Sequence, residues 1–166
     1  MPAFEHRRSK TRIPNILRCI SASMTSSNTL QLFVYGTLKS GYDPHAKLCQ
    51  PWLHALQPAL AKGRIYHLPM GYPAMTAEEG WVQGELLLFM NPPDTVLQRL
   101  DDFEGYRPEL PQERNPYQRQ EIPIYDLERN PLTTAWAYIM PMFLVQQVQG
   151  EWLPDGIWNR PTQLRA

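Results

Sequence analysis

The chain has 166 residues, a length suited to one domain that can bury a core without staples. It is 43% hydrophobic and 19% charged, and its 17 prolines argue against long uninterrupted helices. Net charge is zero, yet five of the 16 basic residues and one of the 16 acidic ones fall in residues 1–30, leaving −4 on the rest and arguing against a nucleic-acid surface.

Residues 1–30 are basic and Ser-containing, with little apolar patterning. They are expected to be a disordered extension, or to precede a true start at Met24; an Arg-rich, acid-poor targeting peptide is the alternative. Cys19 lies here and Cys49 in the body, with no CxxC, so the pattern is no disulfide framework and fits a reducing, cytoplasmic setting. No apolar run approaches 18 residues, so no membrane partner is expected.

Residues 31–35 read as a buried strand, followed over 36–44 by a loop with Gly36 and Gly41. This junction has two readings: a strand end without chemistry, or a glycine-opened loop whose backbone N–H groups form an anion or oxyanion site. Pro44 to Leu56 is expected to hold a short helix interrupted by Pro51, and Ala59–His67 a strand with Gly63 as a bulge. Leu68–Met75 is rich in turn formers and reads as a loop. Trp81–Phe89 reads as a long strand whose Leu run implies burial on both faces. Asn91-Pro92-Pro93-Asp94 opens a helix with Asn91 or a nearby polar residue as its cap. Val96, Leu97, Leu100 and Phe103 form its apolar stripe, and Gly105 ends it. Tyr117–Tyr125 alternates as a strand, with Pro123 placing it near an edge. Thr133–Met140 is another strand, with Trp136 and Tyr138 on one face. The domain is expected to span 31–145, with the tail 146–166 docking on it.

Glu104 is the leading candidate for chemistry. It stands in Leu100-Asp101-Asp102-Phe103-Glu104-Gly105-Tyr106, where three carboxylates crowd the helix end that carries partial negative charge. A solvated acidic helix end explains this blandly. A carboxylate pressed among aromatics has its pKa raised toward neutrality, which suits a general acid/base. Glu85 is the rival, read as a rim residue or the partner of an Arg. Two carboxylates suit glycoside hydrolysis, but no sugar-stacking pattern accompanies them. His45, His54 and His67 are spaced too irregularly for a metal site, and none is assigned. G-x-S-x-G is absent, nothing orients His45 against Cys49, and Gly36-Thr37-Leu38-Lys39-Ser40 misses the phosphate-loop spacing.

Tyr35-Gly36-Thr37-Leu38, Val82-Gln83-Gly84-Glu85, Leu100 to Tyr106, and Tyr117-Gln118-Arg119 occur in that order. The ordered set resembles the γ-glutamylcyclotransferase-like family over about residues 31–140, with its nearer likeness to the γ-glutamylamine cyclotransferase branch. The resemblance implies a compact α+β fold, a mixed, partly closed β-barrel with a few flanking helices around one cavity. It implies that Tyr35, Gly36, Thr37 and Leu38 hold the glutamyl part of a small γ-glutamyl substrate, and that Glu104 is the general acid/base. The substrate's α-amine then attacks its own γ-carbonyl and releases 5-oxoproline and an amine, with no cofactor or metal. Tyr117 and Tyr138 fall on strands that line such a cavity, either as substrate contacts or as core tyrosines with satisfied hydroxyls. Two other functions share the fold: a small-molecule binding or regulatory module without turnover, and a γ-glutamyl-group remover in a biosynthetic pathway. Oligomeric state is left open.

Overall fold

The computed structural model describes residues 28–159. The expected N-terminal extension, with Cys19 and Met24, lies outside the described residues up to position 27; its last positions belong to the first strand. The elements are β1 (Thr29–Val34), α1 (Asp43–Leu48), β2 (Leu53–His67), β3 (Pro73–Met90), α2 (Thr95–Glu104), β4 (Gln118–Tyr125), β5 (Pro131–Ile139), α3 (Met142–Gln147) and β6 (Glu151–Trp152). The six strands form one sheet in the order β3-β1-β5-β4-β2-β6, and β3 also pairs with β2. The sheet therefore returns on itself, a mixed α+β ring with three short helices, as the α+β expectation required. Most pairs are antiparallel; β1 and β5 run parallel through Leu32 and Trp136.

β1 explains how the ring is filled. Side chains alternate across a strand. Phe33 and Tyr35 enter one core cluster with Ile65, Met75, Val82, Ile124 and Trp158. Leu32 and Val34 enter the other with Leu87, Phe89, Val96 and Leu100. Both faces are buried, which is why this stretch is apolar without a break.

Several boundaries differ from expectation. No helix runs to Leu56: after a short 3-10 turn at Gln50–Trp52, Leu53 already pairs with Phe89. The loop after β2 is shorter than 68–75, because Pro73 and Ala74 pair with His67 and Tyr66. Pairing across the β2–β3 hairpin overrides the local turn chemistry in both places. The register breaks at Gly63, where Lys62 faces Trp81 but Arg64 faces Thr76. Asn91 does not cap α2; Asp94 precedes its first residue and makes no side-chain cap bond. Phe103 is not in the buried stripe but 44% exposed. The inward row is Val96 and Leu100 at a spacing of four, and the next step of four is Glu104. Gly105 adopts φ +70° and closes the helix, its N–H reaching back to Asp101 and Asp102.

The C-terminal segment packs against the body. β6 pairs with Tyr66 and His67, the Gln83 N–H donates to the Gly156 carbonyl, and Trp158 is buried.

Candidate active site

Two elements meet at a cavity of about 300 Å³. The loop after β1 contributes Tyr35, Gly36, Thr37 and Leu38, and the last turn of α2 contributes Phe103 and Glu104. Tyr117 and Tyr138 complete the wall, with Tyr72 and Pro73 from the β2–β3 turn. The structure thus brings Tyr35, Gly36, Thr37, Leu38, Glu104, Tyr117 and Tyr138 into one pocket and leaves the rival carboxylate Glu85 outside its lining. Tyr138 is on β5 as expected, whereas Tyr117 stands one residue before β4.

The loop is shaped by close packing. A Cβ on Gly36 would lie 2.4 Å from Pro73 Cγ, so no larger residue fits without moving the wall. The loop is then held from three sides. Lys39 N–H donates to the Gly36 carbonyl at 3.0 Å, closing the turn. Ser40 donates through its N–H (2.7 Å) and its hydroxyl (2.5 Å) to the Glu85 carboxylate on β3. Lys39 Nζ donates to the Trp158 carbonyl at 2.7 Å. Glu85 is therefore the anchor of this loop and not an Arg partner, and Lys39 and Ser40 are braces. His45 Nδ1 lies 2.8 Å from the Leu38 carbonyl; a carbonyl can only accept, so Nδ1 carries the proton. With these bonds made, the N–H groups of Gly36, Thr37 and Leu38 have no partner among the described residues. Adjacent free donors of this kind suit a carboxylate or an oxyanion.

The three carboxylates at the end of α2 take three fates. Asp102 is exposed and lies 3.8 Å from Arg107. Asp101 is buried; it accepts from Arg119 at 2.5 Å and from the Tyr138 hydroxyl at 2.8 Å. Arg119 is flanked by the rings of Tyr106 and Trp136 at 5.3 and 5.1 Å. Glu104 accepts no hydrogen bond among the described residues. Burial pushes its carboxyl up to about 7. Burial first, and then the nearby Glu104 charge, raises the Cys49 thiol to about 12. The Tyr35, Tyr117 and Tyr138 hydroxyls are raised too, burial again being the largest cause. Their protons are committed: Tyr35 donates to the Tyr138 carbonyl (2.5 Å), Tyr117 to the Pro73 carbonyl (2.8 Å) and Tyr138 to Asp101. The tyrosines are structured walls, and Glu104 is the group left to exchange protons.

Sequence reasoning missed the Asp101–Arg119 pair beneath Tyr138, although both residues stood in the motifs quoted. It named Tyr72 and Pro73 only as part of the Leu68–Met75 loop, on which substrate choice is expected to depend, and not as lining residues. Among the described residues, no group of three His, Cys, Asp or Glu side chains could hold a metal ion.

A ring-like sheet beside a pocket that holds one unpaired carboxylate and a glycine loop of free donors suits a small-molecule site. The chain belongs to the gamma-glutamyl cyclotransferase, AIG2-like family, whose model matches residues 32–160. Solved structures share the fold. The mouse AIG2-like protein superposes with a TM-score of 0.56 at 20% identity, covering 82% of this chain and 99% of that one. YkqA from Bacillus subtilis gives 0.54 at 22% identity and covers 79% of this chain, which spans only 40% of that protein. A protein of Arabidopsis thaliana gives 0.54 at 22% identity, covering 80% and 75% of the two chains. No curated protein sequence matches significantly.

Proposed function

We propose that the protein is a cofactor-free γ-glutamyl cyclotransferase acting on a small γ-glutamylamine, in a cytoplasmic setting and without nucleic-acid or membrane partners. One observation carries this: the unpaired Glu104 carboxyl, poised near 7, shares a cavity with the free N–H groups of Gly36–Leu38. A cavity of about 300 Å³ suits a ligand at the small end of the usual range.

The chemistry follows from the groups present. The loop N–H groups hold the substrate carboxylate or the γ-carbonyl oxygen. The substrate's α-ammonium gives a proton to Glu104, and the freed amine attacks the γ-carbonyl carbon. Charge gathers on the carbonyl oxygen, where a backbone donor stabilises it. Glu104 then delivers a proton to the departing nitrogen, and the γ-carbon–nitrogen bond breaks. Two protons leave the attacking nitrogen in all and two reach the leaving amine, so 5-oxoproline and an ammonium are the products. No water is consumed. A group near pH 7 serves both directions of transfer. The shaped cavity contributes by holding the flexible glutamyl chain folded back.

The test is 5-oxoproline release from a panel of γ-glutamyl amides by the wild type and by Glu104→Gln. Loss of release in a folded Glu104→Gln variant supports the assignment. Full turnover by that variant refutes the role of Glu104, and saturable binding without product favours the binding module.

A further inference from the structure

The cavity lining is graded, and the gradient bears on the leaving group. Tyr35 and Tyr138 are 7% and 3% exposed, whereas Tyr72 and Phe103 line the same cavity at 52% and 44% exposure. A residue that lines a cavity and still faces solvent sits at its mouth. Tyr72 stands in the tight turn between β2 and β3, its carbonyl accepting from the Leu68 N–H at 2.8 Å. Phe103 stands beside Glu104 in the last turn of α2. Its exposure in a helix whose inward row is apolar is a departure from pattern that packing does not explain. Glu104 is the single carboxylate of the lining, and no Lys, Arg or His belongs to it.

We infer that Tyr72 and Phe103 form an aromatic subsite for the leaving amine. The enzyme then prefers γ-glutamyl amides whose amine carries a flat, uncharged aromatic group over those whose amine carries a carboxylate. This rests on the cyclotransferase reading above. The glutamyl part occupies the inner end, against the glycine loop and Glu104. The amine substituent then points outward, toward Tyr72 and Phe103, whose side chains carry aromatic rings and no charge. An aromatic substituent gains apolar burial and ring contacts there. A carboxylate at the same place finds no cation in the lining and feels the like charge of Glu104.

A matched pair isolates the effect: γ-glutamylphenethylamide and γ-glutamylphenylalanine differ only by a carboxylate, and γ-glutamylmethylamide lacks the ring. For the wild type, kcat/KM is expected to be about tenfold or more higher for the phenethylamide than for either of the others, the scale that apolar pocket contacts give. The double variant Tyr72→Ala/Phe103→Ala should narrow the phenethylamide-to-methylamide ratio to about threefold or less, and Tyr72→Phe alone should keep it. Both positions are about half exposed, so the fold is not at stake, and circular dichroism checks it. Equal turnover of the phenethylamide and γ-glutamylphenylalanine overturns the inference, as does an unchanged ratio in the double variant. No 5-oxoproline from any of the three overturns the cyclotransferase reading itself.

Discussion

Glu104 lines one cavity of this protein and Glu78, with the exposed Glu113, another; Glu104 and Glu78 each have a tyrosine nearby and differ in what they do. The cavity around Glu78 is the larger, about 430 Å³ against about 300 Å³. Glu78 accepts from the Tyr66 hydroxyl at 2.7 Å and the Thr76 hydroxyl at 2.9 Å, with Arg64 at 3.7 Å. The Tyr66 bond above all holds its carboxyl below the usual range. Glu104 has no such donors, and burial pushes it the other way. A satisfied carboxylate is fixed in one protonation state and works as structure. An unsatisfied one, partly buried among aromatic rings, can change state near neutral pH. Volume therefore does not mark the site; a carboxylate held partly buried without a donor does.

The sharpest way to break this comparison is to neutralise both glutamates. Glu104→Gln should lower kcat for 5-oxoproline release by about 10³-fold, within the span that general acid/base groups contribute. Glu78→Gln should leave kcat/KM within about twofold, since its charge touches no reacting group. Steady-state kinetics on one γ-glutamyl amide decides it. A comparable loss at Glu78 would remove the distinction between the two cavities.

A second contrast lies inside α2, where Asp101 and Glu104 are one turn apart. Asp101 is paired and Glu104 is not, so removing a partner should hurt only the first. Arg119→Met leaves Asp101 without its cation in a buried place, with the Tyr138 hydroxyl as its remaining side-chain donor. Breaking a buried pair from one side costs about 3–5 kcal/mol. Urea unfolding should show a loss of that order; a loss below about 1 kcal/mol would mean that the pair is solvated.

How far this contrast could be read from the sequence depends on the face of one helix. The Leu32–Val34 strand is legible because an unbroken apolar run ending at a glycine has few other readings. Glu104 stands out because three carboxylates at a helix C-terminus oppose its dipole. Their separate fates are not legible. Each residue turns the helix by about 100°, so Asp101, Asp102 and Glu104 fan out, and only the packed face says which turns inward. Hydrophobicity pointed to Phe103 as the inward residue, but the spacing of four from Val96 and Leu100 selects Glu104. Hydrophobic type was taken for position, and Phe103 is half exposed at the cavity mouth. The onset of β2 at Leu53 is hidden for another reason: it is set by Phe89, far along the chain. The free N–H groups of the glycine loop were legible only as one of two readings. Their anchors, Glu85, Trp158 and His45, lie on other elements.

The unpaired state of Glu104 should also appear in stability. Its folded carboxyl titrates near 7, above an ordinary value of about 4.5. Between those values the folded state binds a proton that the unfolded state has lost, so stability falls as pH rises through this window. The penalty is complete above about pH 7 and amounts to about 3.5 kcal/mol at most, from about 1.4 kcal/mol per pH unit. Glu104→Gln should therefore be more stable than the wild type at pH 8 and equal to it at pH 4, seen as a Tm gain only at the higher pH. Activity should show the same group with the other sign, kcat/KM declining as pH falls through about 7 and the carboxylate is protonated. A variant that gains no stability at pH 8 would place Glu104 in contact with water and remove its reason for being near neutral.

The smallest effect separates two satisfied carboxylates, Glu78 and Glu85. Both accept two short hydrogen bonds. Those at Glu85 come from the loop that carries the free N–H groups, whereas those at Glu78 come from its own hairpin. Ser40→Ala deletes the hydroxyl donor but keeps the Ser40 backbone donor, so the loop is loosened and not released. The Ser40–Glu85 bonds are exposed, and such a deletion costs about 1 kcal/mol or less. Stability should scarcely change. If the loop N–H groups hold the substrate, KM should rise about threefold while kcat changes less, because imprecise donors weaken binding before they touch proton transfer at Glu104. A matching Thr76→Ala change, which deletes one donor to Glu78, should move neither constant. Equal effects at the two sites would mean that Glu85 serves only the sheet, and that the loop keeps its shape through Lys39, His45 and the close fit of Gly36 on Pro73.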